Sequence, residues 1–423
     1  MKVRLFTFLF AAVFSTGVFA SGFQINENGA RAMGLAGAFT GLANDPSAVY
    51  FNPAGITQLY GLHFSMGATY IAPSSEFKGP SATAPETTSK LKDQFFTPIN
   101  FYYTQQLTDK IFVGFSVNNP YGLGTEWEDN WVGKYYTLET EIATFNFAPV
   151  VAYKFSDQLS ASVGFVYSYA DVTIRRKLPT PIPGVDGKLT LEGDDSGFGY
   201  RAGVLYKPTD ELSLGLSFRS EVEYKMEGDA KTEFDVPVPD ALKAAMPKGN
   251  ISAPLTTPMT LTFGAAYNFS KTFLLSADFQ YNGWSSYDKL EITFDSYPTD
   301  AGSVSTSKRD YENSYIARLG AEYVLNDKTT LRGGFLYDKN PVKDEHLDPT
   351  LPDADRLGYN IGIGYKLTSY LTLDVAYFYL QFMERDINNS QEFIPLSTTT
   401  ATPLNGTYNS SAHLIGANLT LAL

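Results

Sequence analysis

Along residues 212–226, LSLGLSFRSEVEYKM, apolar and polar positions alternate. Leu212, Leu214, Leu216, Phe218, Val222, Tyr224 and Met226 share one parity, interrupted by Ser220. Ser213, Gly215, Ser217, Arg219, Glu221, Glu223 and Lys225 share the other. A period of two puts successive side chains on opposite faces of a strand. The split recurs at 259–269, where Met259, Leu261, Phe263, Ala265, Tyr267 and Phe269 oppose Thr260, Thr262, Gly264, Ala266 and Asn268. It recurs again at 359–367, and strand-like segments stand at 62–71, 111–118, 159–175, 199–207, 315–324, 371–379 and 413–423.

The connections alternate too. Short polar turns fall at Thr108-Asp109, Ser156-Asp157, Thr209-Asp210, Ser270-Lys271, Asn326-Asp327 and Thr368-Ser369. Longer stretches lie between them, at about 73–94, 120–137, 177–197, 228–256, 294–311, 341–356 and 386–408. Six short turns and seven long loops join fourteen strands, with both chain ends on the short-turn side. That is the arrangement of an all-β, antiparallel transmembrane β-barrel of the outer-membrane type. A tilted membrane-crossing strand needs about 9–11 residues, whereas soluble strands average about 5–6. A soluble sandwich or propeller also alternates, but it does not explain the loop asymmetry or the aromatics near strand ends. Pro98 and Pro149 fall inside strand patterns. Neither can donate to a ladder, so each predicts a bulge or local break.

Composition moves the picture in the same direction. Residues 1–20, MKVRLFTFLFAAVFSTGVFA, have a basic start (Lys2, Arg4), an apolar stretch and small residues before a cleavage point at Ala20. This reads as an export signal. Its loss takes the formal net charge from −13 to −15. There is no cysteine, so the exported chain is no disulfide scaffold. The acidic balance and the absence of a basic stripe argue against nucleic acid. Tyr (28), Phe (31) and Gly (35) are abundant, as barrels require.

Barrel width grows with strand number, and fourteen strands leave a lumen that leaks unless filled. Residues 21–57 precede the first strand and carry no period-two pattern. They predict an N-terminal plug, leaving 58–423 for the barrel. Asp45-Pro46 and Asn52-Pro53 both read as a cap followed by proline at a first helical position. An ordinary turn into strand one accounts equally for Asn52-Pro53-Ala54-Gly55.

Residues 22–56, GFQINENGARAMGLAGAFTGLANDPSAVYFNPAGI, closely resemble the hatch of the FadL-type transporters of bacterial outer membranes. The resemblance continues at 121–127 (YGLGTEW) and 284–290 (WSSYDKL), and is densest at 331–356, LRGGFLYDKNPVKDEHLDPTLPDADR. It departs at Leu423, where such barrels usually finish on an aromatic.

The resemblance implies a fourteen-stranded barrel with a hatch, passing long-chain fatty acids or hydrocarbons without an energy source. It implies no cofactor, and a monomer set among outer-membrane lipid and lipopolysaccharide. By similarity, Asn52, Pro53 and Ala54 form the hatch motif, Phe23 and Ile25 touch ligand, and Gly114 kinks the third strand. A small lumen-facing residue is the other reading of Gly114. Capture is expected in a greasy groove at loops 177–197 and 228–256, with a short helix at 240–246, though the same side chains suit loops packing on each other. Release is expected sideways near Pro98 and Gly114.

The runner-up is a porin for small polar solutes, its eyelet built from Arg201, Arg219, Arg318, Arg332, Asp278, Glu322 and Asp374. Those charges serve equally to pair with one another and seat the hatch. The three histidines, His63, His346 and His413, show no triad or metal-ligand spacing, so neither catalysis nor a metal is expected.

Overall fold

The computed structural model describes residues 22–80, 87–295 and 304–423; the export signal expected at 1–20 lies outside them. Fourteen antiparallel strands form a closed barrel. They are β1 (Leu62–Gly79), β2 (Ile99–Gln106), β3 (Ile111–Asn118, resuming at Gly122–Glu126), β4 (Glu139–Lys154), β5 (Leu159–Pro179) and β6 (Asp186–Tyr206). Next come β7 (Leu212–Arg219 and Val222–Phe234), β8 (Gly249–Thr257 and Thr260–Asn268), β9 (Phe273–Asn282 and Lys289–Phe294) and β10 (Val304–Lys308 and Ser314–Val324). The last are β11 (Thr329–Asp338), β12 (Arg356–Lys366), β13 (Leu371–Phe382 and Arg385–Ile387) and β14 (Gly406–Ala422). β14 pairs with β1 from His63↔Ala422 to Lys78↔Thr407, which closes the cylinder.

The pleat sorts the side chains. On β4, Ile142, Thr144, Ala148, Val150 and Ala152 are buried, while Val151 and Tyr153 are exposed. Val163, Phe263, Leu319 and Ile361 present apolar groups outward all round the wall. So much exposed apolar surface fits hydrocarbon, not water. Phe155, Phe269 and Tyr370 mark the short-turn rim, and the outward pairs Tyr167–Phe198 and Phe279–Tyr315 form a second aromatic level above it.

All six short turns stand where alternation placed them, but the long loops differ. β5 and β6 stay paired up to Pro179↔Asp186, so most of the expected loop 177–197 is strand. β7 likewise runs to Phe234 and β8 starts at Gly249, so 228–256 is mostly strand as well. The reason is that these ladders rise above the membrane. There the outer face meets water, charges such as Arg175 and Lys188 replace apolar residues, and the membrane pattern ends before the strand does. The short helix α3 (Asp240–Ala244) caps the second ribbon. Pro149 marks a local break: β4–β5 pairing lapses between Phe147↔Tyr167 and Val150↔Gly164 without a register shift.

Candidate functional site

The leading segment lies within the barrel, tied to its inner face at many points. It holds two short helices, α1 (Ala30–Gly34) and α2 (Ala48–Phe51), then a 3₁₀ turn at Pro53–Gln58. Asp45 accepts the Ser47 N–H (2.8 Å) just ahead of α2, and Asn52 accepts the Ala54 N–H (3.3 Å) with Pro53 at the first position of the turn. The Asn52 amide also donates to Thr40 O within the segment and to Val204 O on β6, both at 3.0 Å. Asp278 of β9 receives the Phe39 and Thr40 N–H groups (3.1 and 2.9 Å). Asn418 of β14 receives Ala30 N–H, and Asn360 of β12 donates to Met33 O. At β7 the backbone comes so close that a Cβ on Gly215 would stand 2.1 Å from Thr40 O. No other residue fits there.

The inward charges serve this seat. Arg332 binds Glu322 (2.7 Å) and Asp374 (2.6 Å), and Arg31 of the segment binds Glu322 (3.2 Å) and Asp45 (3.6 Å). Arg201 donates to Val49 O, Arg318 to Asn26, and Arg219 lies over the Tyr50 ring at 4.4 Å. Each of the seven charges named for a polar eyelet has a partner.

Above the segment the wall is interrupted. β2 and β3 pair from Gln106↔Phe112 to Asn100↔Asn118 and then part. At Asn119-Pro120-Tyr121 the leading segment takes over as partner: Ile25 N–H donates to Pro120 O (2.8 Å) and Gly122 N–H to Phe23 O (2.9 Å). Asn119 spans the break, accepting from Ile99 N–H (2.8 Å) and donating to Thr144 O (2.7 Å). The kink expected at Gly114 is therefore displaced. Gly114 pairs on both sides, with Thr104 and Val150, and a Cβ there would meet Val49 Cγ2 at 2.7 Å. It makes room for α2. Pro98 adjoins the break, its carbonyl accepting from Thr69 N–H.

A cavity of about 450 Å³ opens beside this break. Phe23, Ile25, Ile71, Leu123, Ile142 and Leu414 make it apolar. It touches both pleat faces of β4: Ile142 and Thr144 from inside, Ala143 and the exposed Phe145 from outside. A cavity confined to the lumen of an intact wall does not do that. A second cavity, about 540 Å³, lies between the extended ribbons, lined by Leu191, Met226, Ile251, Leu255, Ile292 and Phe294. Phe23 borders both. Its ring is packed edge-on against Trp284 (4.8 Å), Tyr287 (5.9 Å) and Tyr121 (6.0 Å).

The residue before Phe23 is held by the 352–356 stretch. Asp353 accepts Gly22 N–H (2.8 Å) and Arg356 donates to Gly22 O (2.7 Å) while pairing with Asp353. Adjacent Asp355 accepts the Tyr337 hydroxyl (2.5 Å). Burial pushes the Asp355 carboxyl up to about 7, with negative Asp353 and Asp338 adding to it and the Tyr337 bond opposing. Asn119-Pro120 was missed from sequence because Pro120 was placed in a loop; an Asn-Pro pair like that of Asn52-Pro53 was the available signal.

Residues 11–422 match the family model described as outer membrane protein transport protein (OMPP1/FadL/TodX). The chain is 28% identical over 400 residues to the long-chain fatty acid transport protein of Escherichia coli O6:H1, covering 87% of this chain and 89% of that one. It is 26% identical over 455 residues to outer membrane protein P1 of Haemophilus influenzae, covering 95% of each. Its fold is similar to the crystal structure of a Pseudomonas aeruginosa FadL homologue, with a TM-score of 0.83 at 20% identity over 95% of this chain and 100% of that one. It is also similar to the Ralstonia pickettii toluene transporter TbuX, with a TM-score of 0.69 at 16% identity over 92% and 97%.

Proposed function

Since this chain belongs to the OMPP1/FadL/TodX family of outer-membrane transport proteins, whose members carry hydrophobic compounds, we propose that it passes long-chain fatty acids or hydrocarbons by gated passive diffusion. The solute enters the outer groove between the β5–β6 and β7–β8 ribbons. It moves past Phe23 into the inner cavity, where Phe23 and Ile25 touch it. It then leaves sideways through the break between β2 and β3 into the hydrocarbon layer. Residues 21–57 act as the hatch, with Asn52, Pro53 and Ala54 as its fastening, so that water and ions do not follow. The chain acts as a monomer among outer-membrane lipid and lipopolysaccharide.

The observation that carries this reading is the inner cavity reaching both faces of β4 beside the stretch of β3 that has parted from β2. Apolar transfer favours the route by about 0.8 kcal/mol per CH₂, so a ten-carbon stretch gains about 8 kcal/mol on leaving water. The paired state of the inward charges speaks against a polar eyelet. Uptake of labelled oleate and of toluene by cells with and without the gene tests the proposal. Uptake that depends on the gene supports it. Equal uptake in both, together with a steady open conductance in planar bilayers, replaces it with a porin.

A further inference from the structure

At the outer end of the barrel, three side chains from two separate stretches of the chain converge. Asp310 follows the outer part of β10, while Glu345 and His346 sit on a 3₁₀ turn (Asp344–His346) in the β11–β12 connection. One ligand atom from each lies within 4.8 Å of the others. We propose that these residues form a binding site for a first-row divalent metal ion, of which Zn²⁺ is the best fit.

The imidazole carries the argument. His346 is 3% exposed. Its Nδ1 lies 3.1 Å from Glu392 Oε1, and a carboxylate only accepts, so Nδ1 bears the proton. In the neutral imidazole that leaves Nε2 with its lone pair. Nε2 is buried, has no hydrogen-bond partner, and lies 3.8 Å from Glu345 Oε1. An acceptor nitrogen aimed at two carboxylates is unfavourable by itself and favourable around a cation. A carboxylate behind a histidine is also the usual outer-shell support of a metal ligand, fixing its tautomer and raising its basicity. Imidazole suits Zn²⁺ and its neighbours, whereas Ca²⁺ and Mg²⁺ prefer all-oxygen sites.

Two lysines stand on the Asp310 side of the cluster. Lys343 and Lys308 bind Asp310 through Oδ2 (2.7 and 3.1 Å), leaving Oδ1 for the ion, and Lys343 also lies 3.8 Å from Glu312. Asp310 and Glu345 are both part-exposed, which provides an entry path. His346 lines the outer groove, so a bound ion clamps the β11–β12 connection to β10 at the groove's mouth. This site does not depend on which solute crosses the barrel.

The test uses untagged, chelator-treated protein in detergent, titrated with ZnCl₂ by calorimetry and with Co²⁺ by visible absorption. One Zn²⁺ per chain is expected, together with Co²⁺ ligand-field bands. H346Q should abolish both. D310N and E345Q, at part-exposed positions, should each weaken binding at least tenfold, and E392Q should weaken it by about 10–100-fold. H63Q/H413Q should bind as the parent does. The proposal is overturned by any of three results: no saturable Zn²⁺ binding, affinity unchanged in D310N and E345Q, or loss of binding in H63Q/H413Q.

Discussion

The fastening of the leading segment makes a quantitative demand. Asn52 is fully buried and its amide holds Thr40 O and Val204 O at 3.0 Å each, while its carbonyl caps Ala54 N–H. Asn52→Ala removes all three bonds. Two net hydrogen bonds contribute about 0.5–1.5 kcal/mol each, and a lost cap adds about 1 kcal/mol. The sum, about 2–4 kcal/mol, raises the population of the detached segment by roughly thirtyfold to several-hundredfold, at a factor of ten per 1.4 kcal/mol. Hydrogen exchange with mass spectrometry reads this directly. Peptides covering 39–58 should lose protection by that factor, while β9–β12 peptides keep theirs, and planar bilayers should show more frequent openings. Parental exchange in 39–58 would refute the reasoning, because the segment would then be held without Asn52.

Further outcomes follow from the same geometry. Phe23→Ala removes the ring shared by the two cavities and should weaken binding of a fluorescent fatty acid about ten- to a hundredfold, as expected from losing some 1.5–3 kcal/mol of apolar contact. Gly114→Val drives a side chain into Val49 and should lower the melting temperature, overpacking costing about 1–3 kcal/mol; an unchanged melting temperature with altered uptake would restore the kink reading. Asp355 has a folded value near 7 against about 4 unfolded, so between those values the folded state holds the extra proton and stability falls as pH rises. Asp355→Asn should flatten that slope between pH 4 and 7 in melting curves; an equal slope in both proteins would contradict the assignment.

The strands were legible because lipid outside and packing inside force strict alternation, as at Leu212–Arg219 and Thr260–Asn268. The same rule hid the tops of β5–β8, where water outside admits Arg175 and Lys188 and the pattern fades although pairing continues. The sign of the inward charges was legible; their partners were not, because Arg332, Glu322 and Asp374 meet only once the cylinder closes. Breaks are poorly coded for a related reason. Pro149 disturbs two residue pairs and nothing more, whereas Pro120 starts the gap because residues 23–25 arrive to replace β2. The cluster of Asp310, Glu345 and His346 is invisible to motif spacing, since strand and loop bring it together from two connections.

The central claim is sideways passage through the wall, and one pair of variants tests it most directly. Ala143 sits where the inner cavity reaches the outer face of β4, and Val163 faces outward on β5, 67% exposed and away from the cavity. Uptake of labelled oleate should fall to the background of cells lacking the gene when Ala143 becomes Trp, and stay at the parental rate when Val163 does. Parental uptake by a properly assembled Ala143→Trp protein would contradict the account.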